Sequence, residues 1–327
     1  MFDAMYVEKT ATGGQQVSLR QLADEALPPG EVTLRVRWST LNYKDALALT
    51  GRGPVVRAWP MVPGVDCVGV VEASDSPLFQ PGQEVILNGC GAGELHWGGL
   101  AQRARVPADW LVPLPEGLSA YHAMALGTAG FTAMLCVQAL EREGLRPSSG
   151  PVLVTGATGG VGSIAVMLLA RLGYEVVAVT GRLEEQAYLT ALGAHEVLSR
   201  AHFEAPPRPL EKARWAGAVD VAGGAVLAAV CASMKPQGVV TACGLAGGMD
   251  FPTTVAPFIL RGVTLVGIDS VMCPRAQRVV AWARLAELID TEKLQAVSRT
   301  VPLSAAAETA ADLLDGRTKG RIVVDIP

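Results

Sequence analysis

The hydrophobic pattern of the chain changes rhythm near residue 120. Before it, alternating runs such as Glu31-Val32-Thr33-Leu34-Arg35-Val36-Arg37-Trp38 are cut by Pro28-Pro29-Gly30, Pro63-Gly64 and Pro81-Gly82. A period of two between proline and glycine turns predicts half-buried, mostly antiparallel strands. From about 124 to 264, short apolar runs alternate with helical patterns. Strands are predicted over Val152 to Thr155 and Glu175 to Val179, with helices over Val161 to Leu172 and Leu183 to Leu192. This βαβ series predicts a parallel sheet with right-handed crossovers. Further strands follow over Ala218 to Val221, Val239 to Cys243 and Val263 to Ile268, then a helix over Arg275 to Ile289. A final strand over Arg321 to Ile326 returns the chain to its first domain. The expected division is a β-rich domain of residues 1–123 with 265–327, and a nucleotide-binding domain of residues 124–264.

Composition narrows the class. Half of the 327 residues are apolar and 18% are charged, so burial can offset chain entropy and disorder is excluded. The 27 basic and 31 acidic residues are interspersed and leave a formal charge of −4, which argues against nucleic acid or an anionic membrane as partner. Six scattered cysteines without C-x-x-C spacing, and an N-terminus without a basic and then apolar leader, fit a reducing cytoplasm. The uncharged stretches 117–140 and 147–170 reach membrane-spanning length. Gly, Ser and Thr interrupt both, and the second reads as strand, glycine turn and buried helix, so no membrane partner is expected.

That second stretch holds the clearest chemical feature, Val152-Leu153-Val154-Thr155-Gly156-Ala157-Thr158-Gly159-Gly160-Val161-Gly162-Ser163. A buried strand runs into a glycine turn and an apolar helix, where free N–H groups and the helix dipole favour a pyrophosphate. The dinucleotide spacing is met in its G-x-G-x-x-A register, as Gly160-Val161-Gly162-Ser163-Ile164-Ala165. At the end of the second strand, where an NAD site carries an acid for the ribose, this chain has Thr180-Gly181-Arg182. Arg182 suits a 2′-phosphate, Thr180 can donate to it, and Arg200 after the third strand is a second cation. The expected cofactor is therefore NADPH. The competing reading makes Arg182 a solvated helix-start arginine.

A β-rich N-terminal region, a nucleotide domain and a C-terminal return together resemble the medium-chain dehydrogenase/reductase superfamily. The resemblance implies an α/β fold, with a GroES-like β-rich catalytic domain and a doubly wound parallel-sheet Rossmann domain. Zinc members supply Cys and His ligands in segments matching Leu41 to Leu47, Gly64-Val65-Asp66 and Gly127 to Phe131. Here those segments offer Asn42, Tyr43 and Lys44, then Val65, then Thr128, and the clustered cysteines of a structural zinc loop are missing. No metal site is expected.

Within the zinc-free, quinone-oxidoreductase-like branch, five groups of residues are similar to the NADPH-dependent acrylyl-CoA reductase group. They are Ser39-Thr40-Leu41-Asn42-Tyr43-Lys44-Asp45; Gly127-Thr128-Ala129-Gly130-Phe131-Thr132-Ala133-Met134; Trp215-Ala216-Gly217-Ala218; Cys243-Gly244-Leu245-Ala246-Gly247-Gly248; and Phe258-Ile259-Leu260-Arg261 with Gly267-Ile268-Asp269-Ser270. The resemblance implies reduction of acrylyl-CoA, or a similar short 2-enoyl-CoA, to the saturated thioester. It also implies cofactor contacts from Tyr43, Thr158, Gly159, Gly160, Val161, Thr180, Gly181, Arg182, Arg200, Leu245, Ile259, Ser270 and Lys319. A homodimer formed through the apolar strand Val263 to Ile268 is a further implication.

Such a reduction delivers hydride to the β-carbon while charge builds on the thioester oxygen, so the protein must stabilise an enolate and protonate its α-carbon. The candidate catalytic residues are Asn42 and Tyr43, facing the nicotinamide and the substrate carbonyl, and Lys44, which or water supplies the proton. In the competing reading Lys44 and Asp45 form a structural ion pair and Tyr43 only packs. His96 and Trp97 in the glycine-rich loop 89–99, and Arg52 and Arg57, are weaker candidates; Cys67, Cys136 and Cys231 read as packing residues. The alternative functions are an NADPH-dependent quinone or enone reductase and a non-enzymatic NADPH-binding protein.

Overall fold

The computed structural model describes residues 1–205 and 208–327. They form two compact units, Met1–Thr128 with Ser270–Glu287 and Thr291–Pro327, and Ala129–Asp269 with Leu288–Asp290. The divisions fall after Thr128 and Asp269 rather than after 123 and 264. The apolar helical stretch breaks only at Gly127, and the strand ending at Gly267 still pairs within the nucleotide sheet.

The first unit begins with the hairpin β1 (Phe2–Lys9) and β2 (Gln15–Leu22). Its main sheet then collects β3 (Val32–Thr40), β4 (Asp66–Ser74), β5 (Glu84–Asn88), β6 (Arg103–Val106) and β7 (Leu111–Pro113), while α1 (Tyr43–Thr50) leaves from the end of β3. The chain next enters the helical segment α2 (Ala120–Arg142), which has a non-helical residue at Gly127. This segment is long and apolar enough to cross a membrane, and most of it is buried inside the protein.

The second unit carries β8 (Val152–Val154), α3 (Gly160–Arg171), β9 (Val176–Thr180), α4 (Gln186–Leu192), β10 (Glu196–Ser199), β11 (Trp215–Asp220), α5 (Gly224–Ala232), β12 (Met234–Ala242), α6 (Ala256–Arg261) and β13 (Thr264–Gly267). Its sheet runs β10-β9-β8-β11-β12-β13 with every pair parallel, the doubly wound order. All positions of β8, β9 and β11 are buried, as a sheet covered on both faces requires.

Several element bounds differ from the pattern. The helix predicted from Leu183 opens as a 3₁₀ turn over Leu183–Glu185, and α4 starts only at Gln186. Strand β12 starts at Met234, ahead of the predicted Val239, through Lys235-Pro236-Gln237, where Gln237 takes φ 62 and the pairing with β11 shifts register. Helix α5 escapes periodicity because it is buried nearly all round.

After β13 the chain returns to the first unit. There α7 (Arg275–Leu288), α8 (Thr291–Ala296), β14 (Ser298–Pro302), α9 (Ala306–Leu314) and β15 (Arg321–Asp325) complete the sheet order β14-β15-β3-β4-β5-β7, with β6 also on β3. Strand β15 pairs antiparallel with the end of β3, Val323 opposite Thr40, and this brings Arg321 beside the start of α1. Leu34, Leu41, Leu87, Leu100 and Ile322 belong to the core of this unit.

Helix α7 is pinned by an unusual anchor. The fully buried Arg278 donates from Nε to Cys273 O at 2.9 Å, from Nη2 to Val271 O at 2.6 Å and Ser270 O at 3.3 Å, and from Nη1 to Asn88 O. Trp282 on the next turn donates to Asn88 Oδ1 at 3.0 Å. Replacing Arg278 by Met leaves these carbonyls without their cation, so we expect a loss of about 2–4 kcal/mol in urea unfolding.

Candidate active site

The site in the first unit is built at the N-terminal turn of α1. Asn42 is the N-cap, with extended φ/ψ, and Asp45 at the third helical position accepts from the Asn42 backbone N–H at 2.9 Å. Below this turn lies a closed polar network. Asn42 Nδ2 donates to Asp66 Oδ2 at 2.7 Å and to Asp45 Oδ2 at 3.1 Å, while its Oδ1 accepts from Arg321 Nη2 at 3.2 Å. Asp45 Oδ1 accepts from Val65 N at 2.8 Å. Asp66 accepts from Thr128 N at 2.8 Å and from Thr128 Oγ1 at 2.6 Å. Arg321 also donates to Thr40 Oγ1 and to Ala125 O, both at 2.8 Å.

Asp45, Asp66, Arg321 and Thr40 are buried, whereas Asn42 and Thr128 are half-buried and Tyr43 is 50% exposed. The network therefore has an ionic floor and a neutral layer that reaches solvent. Two carboxyls face one guanidinium in a medium that penalises charge. Burial, and then the neighbouring Asp66 carboxyl, raise Asp45 from 3.8 to about 6. Burial likewise raises Asp66, against the hydrogen bonds from Thr128 and Asn42 and the Arg321 charge. Arg321 is pushed down to about 10 by burial, despite both acids.

Gly127 makes the closure possible. At φ 51 it breaks α2 and turns the Thr128 N–H onto Asp66. A Cβ there would stand 2.8 Å from Asp66 Oδ2, 2.8 Å from Thr40 Cγ2 and 2.9 Å from Arg321 Nη2. Gly127→Ala is thus expected to cost about 2–4 kcal/mol in urea unfolding, through both the backbone conformation and the displaced network.

The candidate catalytic residues divide. Asn42 turns its amide inward, where all its hydrogen bonds go to Asp45, Asp66 and Arg321. Lys44 does not pair with Asp45; its Nζ lies 2.7 Å from Glu94 Oε1. Tyr43 is the member of the string that presents its side chain outward. Of the weaker candidates, His96 sits between two carbonyls, Trp97 O and Pro29 O, each at 3.0 Å, and Trp97 donates to Pro60 O at 3.0 Å. Arg52 pairs with Asp315 at 2.5 Å. Cys67 and Cys231 are buried with thiols raised by burial, Cys231 to about 12, and Cys136 is buried in α2.

In the second unit the cofactor candidates meet at the carboxyl ends of β8, β9 and β10. Gly159 caps α3, whose first N–H groups have no intrahelical acceptor, as a phosphate cradle needs. A Cβ at Gly162 would strike Gly156 O, so only glycine lets α3 approach the turn this closely. The turn is held from behind by Thr155 Oγ1 donating to Asp220 Oδ1 at 2.7 Å. Thr158 and Thr180 hydroxyls lie 3.3 Å apart, Thr180 Oγ1 accepts from Arg182 N at 3.0 Å, and the Arg200 guanidinium lies against Gly181. Arg200 is itself paired with Glu204 at 3.0 Å. Leu245 and Ile259 are exposed in this unit. Ser270 and Lys319 belong to the first unit, Ser270 through its carbonyl on Arg278 and Lys319 exposed just before β15. Within the second unit, the Gly159–Gly162 turn with Thr180, Arg182 and Arg200 fits a dinucleotide with an extra phosphate at the β9 end.

A zinc ion does not fit the first site. The three ligand positions hold Asn42, Val65 and Thr128, the polar ones already bonded to Asp45, Asp66 and Arg321. Among the described residues no group of three or more His, Cys, Asp and Glu is placed to hold a metal.

Comparison with known proteins agrees in fold and detail. Residues 28–116 match the alcohol dehydrogenase GroES-like domain family, and residues 160–287 match the zinc-binding dehydrogenase family. The chain therefore belongs to the medium-chain dehydrogenase/reductase superfamily. It is 54% identical to acrylyl-CoA reductase AcuI of Ruegeria pomeroyi, covering 100% of this chain and 99% of that protein. It is 45% identical to the putative quinone oxidoreductase YhfP of Bacillus subtilis, over 100% and 99%. The crystal structure of the yhdH oxidoreductase from Salmonella enterica in complex with NADP superposes with a TM-score of 0.98 at 53% identity, over 99% and 100%. Within the superfamily, the chain is a member of the acrylyl-CoA reductase family.

The buried acid pair predicts a pH signature. An acid held protonated more tightly in the folded than in the unfolded chain stabilises the fold fully below about 3.8 and loses that contribution as pH rises through about 6. Asp45→Asn is expected to lose less unfolding free energy than the parent protein across this window, measured by urea titration at stepped pH.

Proposed function

We propose that this protein reduces the 2,3 double bond of acrylyl-CoA, or a similarly short 2-enoyl-CoA, to the saturated thioester propionyl-CoA with NADPH, without a metal. The observation that carries the substrate class is the end-to-end likeness to the R. pomeroyi acrylyl-CoA reductase. The Thr180-Gly181-Arg182 turn with Arg200 against it supports NADPH over NADH, since cations there meet a 2′-phosphate where an NADH site would place an acid.

The bound cofactor supplies hydride to the β-carbon. The chain must then hold the charge that develops on the thioester oxygen. Tyr43, outward on the first turn of α1, is the donor assigned to that oxygen, and the helix N-terminus adds its partial positive charge. Asn42 positions this turn from below. Lys44 forms an ion pair with Glu94 at 2.7 Å, which holds its ammonium in place beside the turn. A quinone or enone reductase is the second reading, favoured by the likeness to the B. subtilis protein of that description.

Two copies are proposed to join through β13, which ends the six-stranded sheet with one edge unpaired in the chain. Exposed Ile259, Leu260 and Val255 stand in and just before the neighbouring α6. The reaction is assigned to the cytoplasm, where CoA thioesters and NADPH are supplied.

The test is NADPH oxidation with acrylyl-CoA, crotonyl-CoA and a benzoquinone side by side, with NADH as control. A kcat/KM preference for acrylyl-CoA with NADPH is expected; preference for the quinone overturns the thioester assignment. Arg182→Ala should raise the KM for NADPH about tenfold or more and leave that for NADH nearly unchanged. Tyr43→Phe should lower kcat about 100-fold, the usual loss for one oxyanion donor.

A further inference from the structure

We propose that Thr128 is the proton donor to the α-carbon, and that Asp66 beneath it is the group from which Thr128 draws that proton. This rests on the enoyl-thioester reading above and assigns the half of the reaction that the hydride leaves unfinished.

The geometry separates the two buried acids. Asp45 receives only N–H groups, from Val65 and from the backbone and side chain of Asn42, and none of these can accept a proton from it. Asp66 has one oxygen on N–H groups as well, but its Oδ1 lies 2.6 Å from the Thr128 hydroxyl, which can accept as readily as donate. Of the two acids, only Asp66, through Oδ1, can pass a proton to a hydroxyl; when it does, the short contact reverses and Asp66 donates to Thr128. The Thr128 hydrogen is then no longer held by Asp66. Thr128 is half-buried while Asp66 is wholly buried, so the threonine is the more accessible member of the pair.

The groups that titrate or carry charge around Asp66 are Asp45 from α1, Arg321 from β15 and the adjoining Cys67 thiol of β4; Thr128 and Asn42 approach as neutral partners. Two carboxylates beside one guanidinium carry an excess negative charge in a low-dielectric site, and one proton removes it. Burial raises Asp66 above the ordinary carboxylate range, the direction that favours holding and passing on a proton.

The step balances. After hydride reaches the β-carbon, the enolate carries its pair on the α-carbon and oxygen. A C–H bond forms at the α-carbon as the Thr128 O–H bond breaks, and the Asp66 O–H bond breaks to restore the threonine hydroxyl. The new Asp66 carboxylate is held by Asn42 Nδ2, Thr128 N and the Arg321 charge until water returns the proton. Thr128 is catalytic in this scheme; Asp66 and Asn42 are positioning residues.

Thr128→Val and Thr128→Ser separate this role from a structural one. Thr128→Val keeps the shape and loses the relay: kcat should fall about 100-fold with KM within a few-fold, and the alkaline limb of the kcat profile should vanish. Thr128→Ser should recover most of kcat and the limb. Parent-like kcat in Thr128→Val, or equal losses in both variants, overturns the proposal. Infrared spectra of the cofactor-free protein at neutral pH give a reading independent of turnover. The carbonyl band of a protonated carboxylic acid should be present, and should be absent in Asp66→Asn, which mimics the neutral acid and keeps the network. Absence of that band in the parent protein overturns the proposal even if acrylyl-CoA is reduced. Its presence, with failure to reduce any enoyl thioester, would instead fault the substrate assignment alone.

Discussion

Two buried carboxyl groups share one buried guanidinium, and the first unit is organised around that imbalance. Asp45 arrives on α1, Asp66 on β4 and Arg321 on β15, so the cluster ties the end of the β3–α1 segment to the C-terminal strand of the chain. Leaving any of the three without its partners would strand a charge in a dry interior, at a cost of several kcal/mol. The network is completed by neutral groups, the Asn42 amide, the Thr128 backbone and hydroxyl, the Val65 N–H, the Thr40 hydroxyl and the Ala125 carbonyl. A polar cluster satisfied in this way fixes one geometry, and the geometry it fixes is the turn that carries Tyr43.

In the proposed metal-free reaction the same cluster stands where zinc-binding dehydrogenases of this fold place their ligands. In place of a cation bound by thiolate and imidazole, the ligand positions hold an amide, an apolar side chain and a hydroxyl. The positive charge lies one layer deeper, on Arg321, between Thr40 and Asn42. In the proposed mechanism, polarisation of the substrate oxygen falls to donors at the start of α1 and the acid function to the buried carboxyl pair. The second unit contributes no such chemistry. Its glycine turn, braced by Thr155 on Asp220, and its Arg182 and Arg200 are the groups proposed to hold and discriminate a dinucleotide.

What could be read from the sequence was local in the chain. The phosphate turn spans a dozen consecutive residues and declares itself by strand, glycines and helix, and Thr180-Gly181-Arg182 follows at the next strand end. The Asn42 to Asp45 string was visible as a polar cluster, yet which side chain points where depended on partners far away. Glu94 takes Lys44, and Arg321 takes Asn42 across 279 positions. Asp66 begins a strand that reads as apolar, Arg321 reads as a solvated strand start, and Gly127 sits inside an apolar helical run. Only the pairing of β15 with β3 and of β3 with β4 brings them together. One signal was available: an acid ahead of a continuous apolar strand is costly unless it is partnered.

The account stands on hydride arriving at the β-carbon and a protein-held proton at the α-carbon, with no metal taking part. Chelator-treated enzyme, checked for residual zinc, can be given acrylyl-CoA with NADPH deuterated at the transferring position, and the product examined by NMR. The account predicts turnover without added metal, with the label confined to the terminal carbon of the propionyl group and ordinary hydrogen from solvent at the α-carbon. Label at the α-carbon, or turnover that returns only on adding zinc, would contradict it.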